Sequence, residues 1–206
     1  MPGPSIRSLL AVAIAAGVWL SPLRSFGLEP FTIHMIRHMA LIAIVAPLAA
    51  PAAVRLAERA GLAGSDRDAW PGGLLLAATV LEFLVVWGWH LPALHEWAAV
   101  SVSGFVLEQI SFLLAGLLLW VSVLRAENGL AAAGGLLLTS MHMTLLGALL
   151  ILAGRPLYAA ICFGAAPLAD QQMGGMLMLA IGTPIYLAAG VLLVRRELET
   201  SEEVQP

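Results

Sequence analysis

The chain has 206 residues, of which 60% are hydrophobic and 11% charged, at a mean hydropathy of +0.92. A soluble domain carries about 25% charged residues, so the composition excludes an ordinary soluble fold and leaves no room for a sizeable soluble domain. It predicts one all-α membrane domain, a polytopic bundle of transmembrane helices. The net charge is −3, every basic residue is Arg, and no basic patch suits nucleic acid.

The first predicted helix covers residues 5–20, with Arg7 at its start. It is short, but SPLRSFG follows it rather than a small-x-small cleavage site, so it reads as a membrane helix and not a signal peptide. The second covers residues 31–54, with Pro47 and Pro51 in its inner half as points of kinking or ending. A polar loop with Arg55, Arg59 and Arg67 follows. The third covers 73–90 and exits at Pro92 into a loop without Lys or Arg; Trp87, Trp89 and Trp97 there fit an interfacial belt. The fourth covers 105–124, the fifth 130–153 and the sixth 173–194, followed by an acidic solvated tail at 195–206. The lone Cys162 excludes an intrachain disulfide and reads as passive.

Seven Arg fall on the side of both termini and three, Arg24, Arg37 and Arg155, on the other. The positive-inside rule then predicts six helices with both termini cytoplasmic, in the inner membrane of a bacterial cell. In that arrangement all five His lie in the outer half or near the midplane.

The chemistry concentrates at the start of the second helix. His34 and His38 form one i,i+4 pair and Met35 and Met39 another. At about 100° per residue the four cover an arc of roughly 140°. Imidazole and thioether together suit a soft ion such as Cu(I). His90 sits at the outer end of the third helix as a ligand or part of the aromatic belt; His95 just beyond reads as exposed and bland. In Met141-His142-Met143, helical geometry puts Thr139, His142 and Met143 on one face and Met141 elsewhere. A His inside a bundle needs a partner, either a metal or a hydrogen bond from a neighbouring helix. Met173 and Met176 are ligands or gap fillers. Asp170, Gln171 and Gln172 open the sixth helix as a cap or as groups that orient a ligand histidine. Gly174 and Gly175 permit close packing. Glu82 and Glu108, acids inside the bundle, each face a polar partner, and Arg37 pairs with an outer acid.

Several runs resemble a known family. HMIRHMALIAIVAPLAAP, WGWHLPALHEWA, GRPLYA and ADQQMGGMLM followed by IGTPIYLAAGVLLV resemble segments of the caa3-type CtaG family of cytochrome c oxidase assembly factors, over about residues 31–196. The resemblance implies a multi-helix inner-membrane protein that helps to mature the copper-containing oxidase by handling copper. One departure stands out: where the family pattern has histidines near the start of the fourth helix, this chain has Gly104 to Gln109, with Glu108 kept and Gln109 after it.

Taken together, the expected site is a Cu(I) site of His34, His38, Met35, Met39, His90, His142, Met143 and Met173, supported by Asp170, Gln171 and Glu108. The expected activity is non-enzymatic delivery of copper to an oxidase copper centre. Oxidase subunits or a periplasmic copper chaperone are the partners, in membrane lipid, with a homo-oligomer open. The rival readings are a haem-binding redox membrane protein and a copper channel or transporter.

Overall fold

The computed structural model describes residues 5–61, 73–158 and 166–203. Cys162 and Arg67 lie outside them. Among the described residues the chain is all helix: α1 (Ile6–Leu20), a short turn of 3-10 helix (Leu23–Phe26), α2 (Pro30–Met39), a π-helical stretch (Ala40–Val45), α3 (Ala46–Arg59), α4 (Leu74–Trp89), α5 (Pro92–Val100), α6 (Val102–Leu124), α7 (Gly129–Leu152) and α8 (Pro167–Glu203).

Four of these rods are long and apolar enough to cross a membrane: Pro30–Arg59, Val102–Leu124, Gly129–Leu152 and Pro167–Thr200. A fifth arises if α4 and α5, bent by 72° at their junction, count as one span. The 15-residue α1 rises only about 22 Å, less than the hydrocarbon thickness of a bilayer. Several apolar helices thus mark a multi-pass membrane protein, with four or five candidate spans among the described residues beside the six that the sequence predicts.

Two of the differences from expectation have simple causes. Residues 91–104 were read as loop, but Pro92 occupies the first position of α5, where a missing N–H costs nothing. Ser101 then ends α5 and starts α6, its hydroxyl accepting from the Gly104 N–H at 3.0 Å. The acidic tail continues α8 through Glu203, braced by an Arg195–Glu199 ion pair one turn apart.

Pro47 neither ends nor breaks the second span. The helix widens to π geometry before it, and the Ala46 N–H bonds to Leu41 rather than Ile42. The next amide that could serve the Ile42 carbonyl belongs to Pro47, which has no N–H. Two side chains supply the missing donors: Trp120 Nε1 at 3.2 Å and Tyr186 Oη at 3.3 Å. A local backbone defect thus becomes the point where α6 and α8 are fastened to the central rod.

The helices alternate in direction. The starts of α2, α6 and α8 meet the ends of α4 and α7 at one end of the bundle, the histidine end. At the other end Glu58 of α3 pairs with Arg125 after α6 at 2.7 Å.

The Asp-Gln-Gln run holds the histidine end together. Asp170 does not serve its own helix. Its carboxylate accepts from the Phe31 and Thr32 amides at 2.8 Å each and from the Thr32 hydroxyl at 2.6 Å. These are orphan donors at the start of α2, whose own N-cap residue, Glu29, makes no side-chain bond. A negative charge at a helix N-terminus is also favoured by the macrodipole. Gln171 and Gln172 donate to Leu150 and Ile151, orphan carbonyls in the last turn of α7, at 3.0 and 3.1 Å. Behind them Gly175 lies so close to α7 that a Cβ would stand 2.7 Å from the Gly147 carbonyl oxygen, and a Cβ on Gly174 would strike the Phe31 ring.

Candidate metal centre

The 140° arc of α2 is divided in two. Its histidine edge, His34 and His38, faces α4, α5 and α6. Its methionine edge, Met35 and Met39, faces α8: Met35 packs beside Gly174, while the sulfurs of Met39 and Met143 flank Gly182. All three methionines are fully buried. Met173 turns outward and is 46% exposed, away from the buried His34 and His38.

His34, His38 and His90 each offer a ring nitrogen, and the three nitrogens lie within 4.8 Å of one another. Imidazole nitrogens sit about 2.0–2.1 Å from a bound ion, so a trigonal set stands about 3.5 Å apart. The separations of up to 4.8 Å are wider than that, so the rings would have to draw together to hold an ion. All three residues are buried. His90 Nδ1 lies 2.6 Å from the Val86 carbonyl oxygen, which fixes the proton on Nδ1 and leaves the Nε2 lone pair free. Phe112 stacks on the His38 ring at 4.2 Å.

The nitrogens are conspicuous for what they lack. His34 Nε2, both nitrogens of His38 and His90 Nε2 are buried with no hydrogen-bond partner. Orphaned buried polar atoms cost about 1–3 kcal/mol each, and proteins keep them where something else uses them. A cluster of lone pairs with no donor opposite suits a cation.

His34 belongs to a second group. With His95 and Glu108 it forms another set of donor atoms within 4.8 Å of one another, and its Nδ1 lies 3.4 Å from a Glu108 oxygen. Gln109 donates to the other Glu108 oxygen at 3.0 Å. Contrary to the sequence reading, His95 is buried, because α5 folds back along α6 and brings it over Phe31 and His34. Tyr158 stacks on Phe31 at 4.7 Å and donates to the His90 carbonyl at 2.7 Å. Trp89, expected in the interfacial belt, is buried and donates to Ser111 of α6 at 2.7 Å. Arg37 meets no acid among the described residues as a salt bridge; its guanidinium lies 5.6 Å from the centre of the Phe105 ring.

His142 lies apart from both donor sets. Its Nε2 is 2.9 Å from Glu82, and Tyr186 donates to the other Glu82 oxygen at 3.4 Å. Thr139 and Met143 share its buried face, and Met141 points out, as the helical spacing predicts. Of the residues singled out from sequence, then, His34, His38, His90 and Glu108 converge. Asp170 and Gln171 hold the helix ends around them. Met35, Met39 and Met143 pack beside α8, and Met173 faces outward.

Sequence reasoning missed His95, Phe112 and Tyr158. A signal for His95 was present: Pro92 opens a helix, and a residue three positions later lies on that helix rather than in a loop.

The family model for cytochrome c oxidase caa3 assembly factors (Caa3_CtaG) matches residues 6–200. No curated protein and no solved structure matches the chain. That match takes in every helix of the bundle, both donor sets and the Asp170 cap, and the chain belongs to the cytochrome c oxidase caa3 assembly factor family.

Proposed function

We propose that this protein serves oxidase assembly by carrying copper: His34, His38 and His90 bind Cu(I) at the histidine end, and the ion passes from there to an oxidase copper centre or to a periplasmic copper chaperone. The observation that carries this reading is the set of buried imidazole nitrogens with no hydrogen-bond partner, convergent on one point. Three neutral imidazoles suit a monovalent ion because they add no charge to a buried site. Copper, zinc and iron all accept imidazole; oxidase assembly, the role of the family, supports copper among them.

The excess of Arg at the opposite end supports an outward-facing histidine end, which in a bacterial inner membrane would face the periplasm. Binding and release break no covalent bond, so the role we assign is non-enzymatic. His90, held by Val86, is the fixed member of the triad. His38 has no such hydrogen bond; its two nitrogens are unpartnered and its ring is held by stacking against Phe112.

A haem site is disfavoured by the packing. The His34, His38 and His90 rings approach one another at 5.2–6.1 Å, with Phe112 stacked on His38, and leave no slot for a macrocycle.

The test is a Cu(I) competition titration of the detergent-purified chain under reducing conditions, with zinc and haem content measured alongside. One Cu(I) per chain, lost in His34→Ala/His38→Ala, is the expected result. A chain that takes up zinc but no Cu(I), or no metal at all, would refute the assignment, and a haem absorption band would replace it with a redox role.

A further inference from the structure

A cavity of about 650 Å³ opens at the histidine end between the turn after α1 and helices α2, α5 and α6. His34, His95 and Glu108 line it. His38 and His90 do not; they lie behind His34. The only residue common to the cavity wall and the inner triad is His34, which also belongs to both sets of donor atoms.

We propose that His34, His95 and Glu108 form a second cation station at the cavity wall, through which Cu(I) enters and leaves the inner triad by way of His34. This rests on the reading that the inner triad holds Cu(I). The two stations differ in chemistry. The inner one is three neutral imidazoles; the outer one has two imidazoles and a carboxylate, whose negative charge offsets that of the ion. His95 Nδ1 and Glu108 Oε1 are themselves buried without a hydrogen-bond partner. Because the stations share His34, they hold one ion in turn rather than two together. The transfer is ligand exchange: bonds to His95 and Glu108 are given up as bonds to His38 and His90 form, and the ion keeps its oxidation state.

The experiment measures Cu(I) loading from, and extraction by, a chromogenic Cu(I) chelator, together with the equilibrium affinity, on the full chain in detergent. His95→Gln is expected to slow loading and extraction alike by about tenfold while the affinity stays within about threefold, since a lost relay changes rates and leaves the end states alone. Glu108→Gln should slow both rates as well, with a weaker affinity because Glu108 also lies 3.4 Å from His34 Nδ1. Unchanged rates overturn the proposal. So does weaker affinity with faster extraction in His95→Gln, which would make His95 a ligand of a single site. His38→Ala supplies a second check. It dismantles the inner triad and should retain one weaker, rapidly exchanging Cu(I), abolished by adding Glu108→Gln; a His38→Ala chain that binds none is a refutation. Wild-type protein that takes up no Cu(I) defeats the parent reading instead, which separates the two failures.

Discussion

Two clusters of buried histidine and acid lie within the same bundle, and they are built on opposite terms. Around Glu82 the polar atoms answer one another: His142 takes one carboxylate oxygen and Tyr186 the other. Tyr186 also serves the Ile42 carbonyl, so the cluster joins α4, α7 and α8 to the central rod. His142 Nδ1 and the Thr139 hydroxyl are left without a partner there, but His142 belongs to neither donor set. At the histidine end the unanswered nitrogens belong to His34, His38, His90 and His95, residues that come together in two donor sets. Type and burial of residue are alike in the two places. Convergence of donor atoms separates them: the first reads as a fastening and the second as the candidate site.

Substitutions can break this contrast. The largest effect is expected for His142→Ala, which leaves a buried Glu82 oxygen without its hydrogen-bond partner and should cost about 3 kcal/mol of stability, read as a drop in the detergent melting temperature. If His142→Ala melts like wild type but loses Cu(I), the two clusters have been assigned the wrong way round. His38→Ala should do the reverse. Copper affinity should fall by about a hundredfold or more, beyond the 10–100-fold typical of groups that only support a ligand, while the melting temperature holds or rises as two orphaned nitrogens disappear.

Asp170→Ala sharpens the contrast from outside both clusters. It removes a cap from the helix that carries His34 and His38, and should cost about 1–3 kcal/mol because two buried amides lose their acceptor. Copper binding should weaken with it, and Asp170→Asn should recover part of both. Smallest of all is the effect expected for Met39→Leu and Met143→Leu: less than about a threefold change in Cu(I) affinity, since volume-conserving swaps on the α8 face disturb packing little. A larger loss would put thioether in the ligand set and enlarge the site toward Gly182.

Much of this was legible in the sequence, and the residues that were not tell why. The i,i+4 spacing placed His34 and His38 together because helix geometry is local. It could not split the arc, since which edge of α2 meets α8 depends on glycines at 174 and 182, more than a hundred residues away. The spans were readable from hydropathy, but the unbroken rod through Pro47 was not. Its survival depends on Trp120 and Tyr186 reaching the Ile42 carbonyl from two other helices. His95 was set aside because a short amphipathic helix looks like a loop when only long apolar runs are sought. The sequence offers Asp170 either as a cap of the helix that contains it, the usual local rule, or as a group that orients a ligand histidine. Its real partner is 138–139 residues earlier.

That last distance has a consequence in time. The ribosome makes α2 before α8. Until α8 has entered the membrane, the start of α2 lacks its Asp170 cap and Gly174 has not closed over Phe31, so the helix that carries His34 and His38 is not fastened in its final place. On the proposed copper reading a nascent chain would be a poor ligand, and the ion would not be trapped in a half-made protein. Helix α8 would then act as a proof of completion, and a truncation before Asp170 should yield a membrane-inserted chain that does not load.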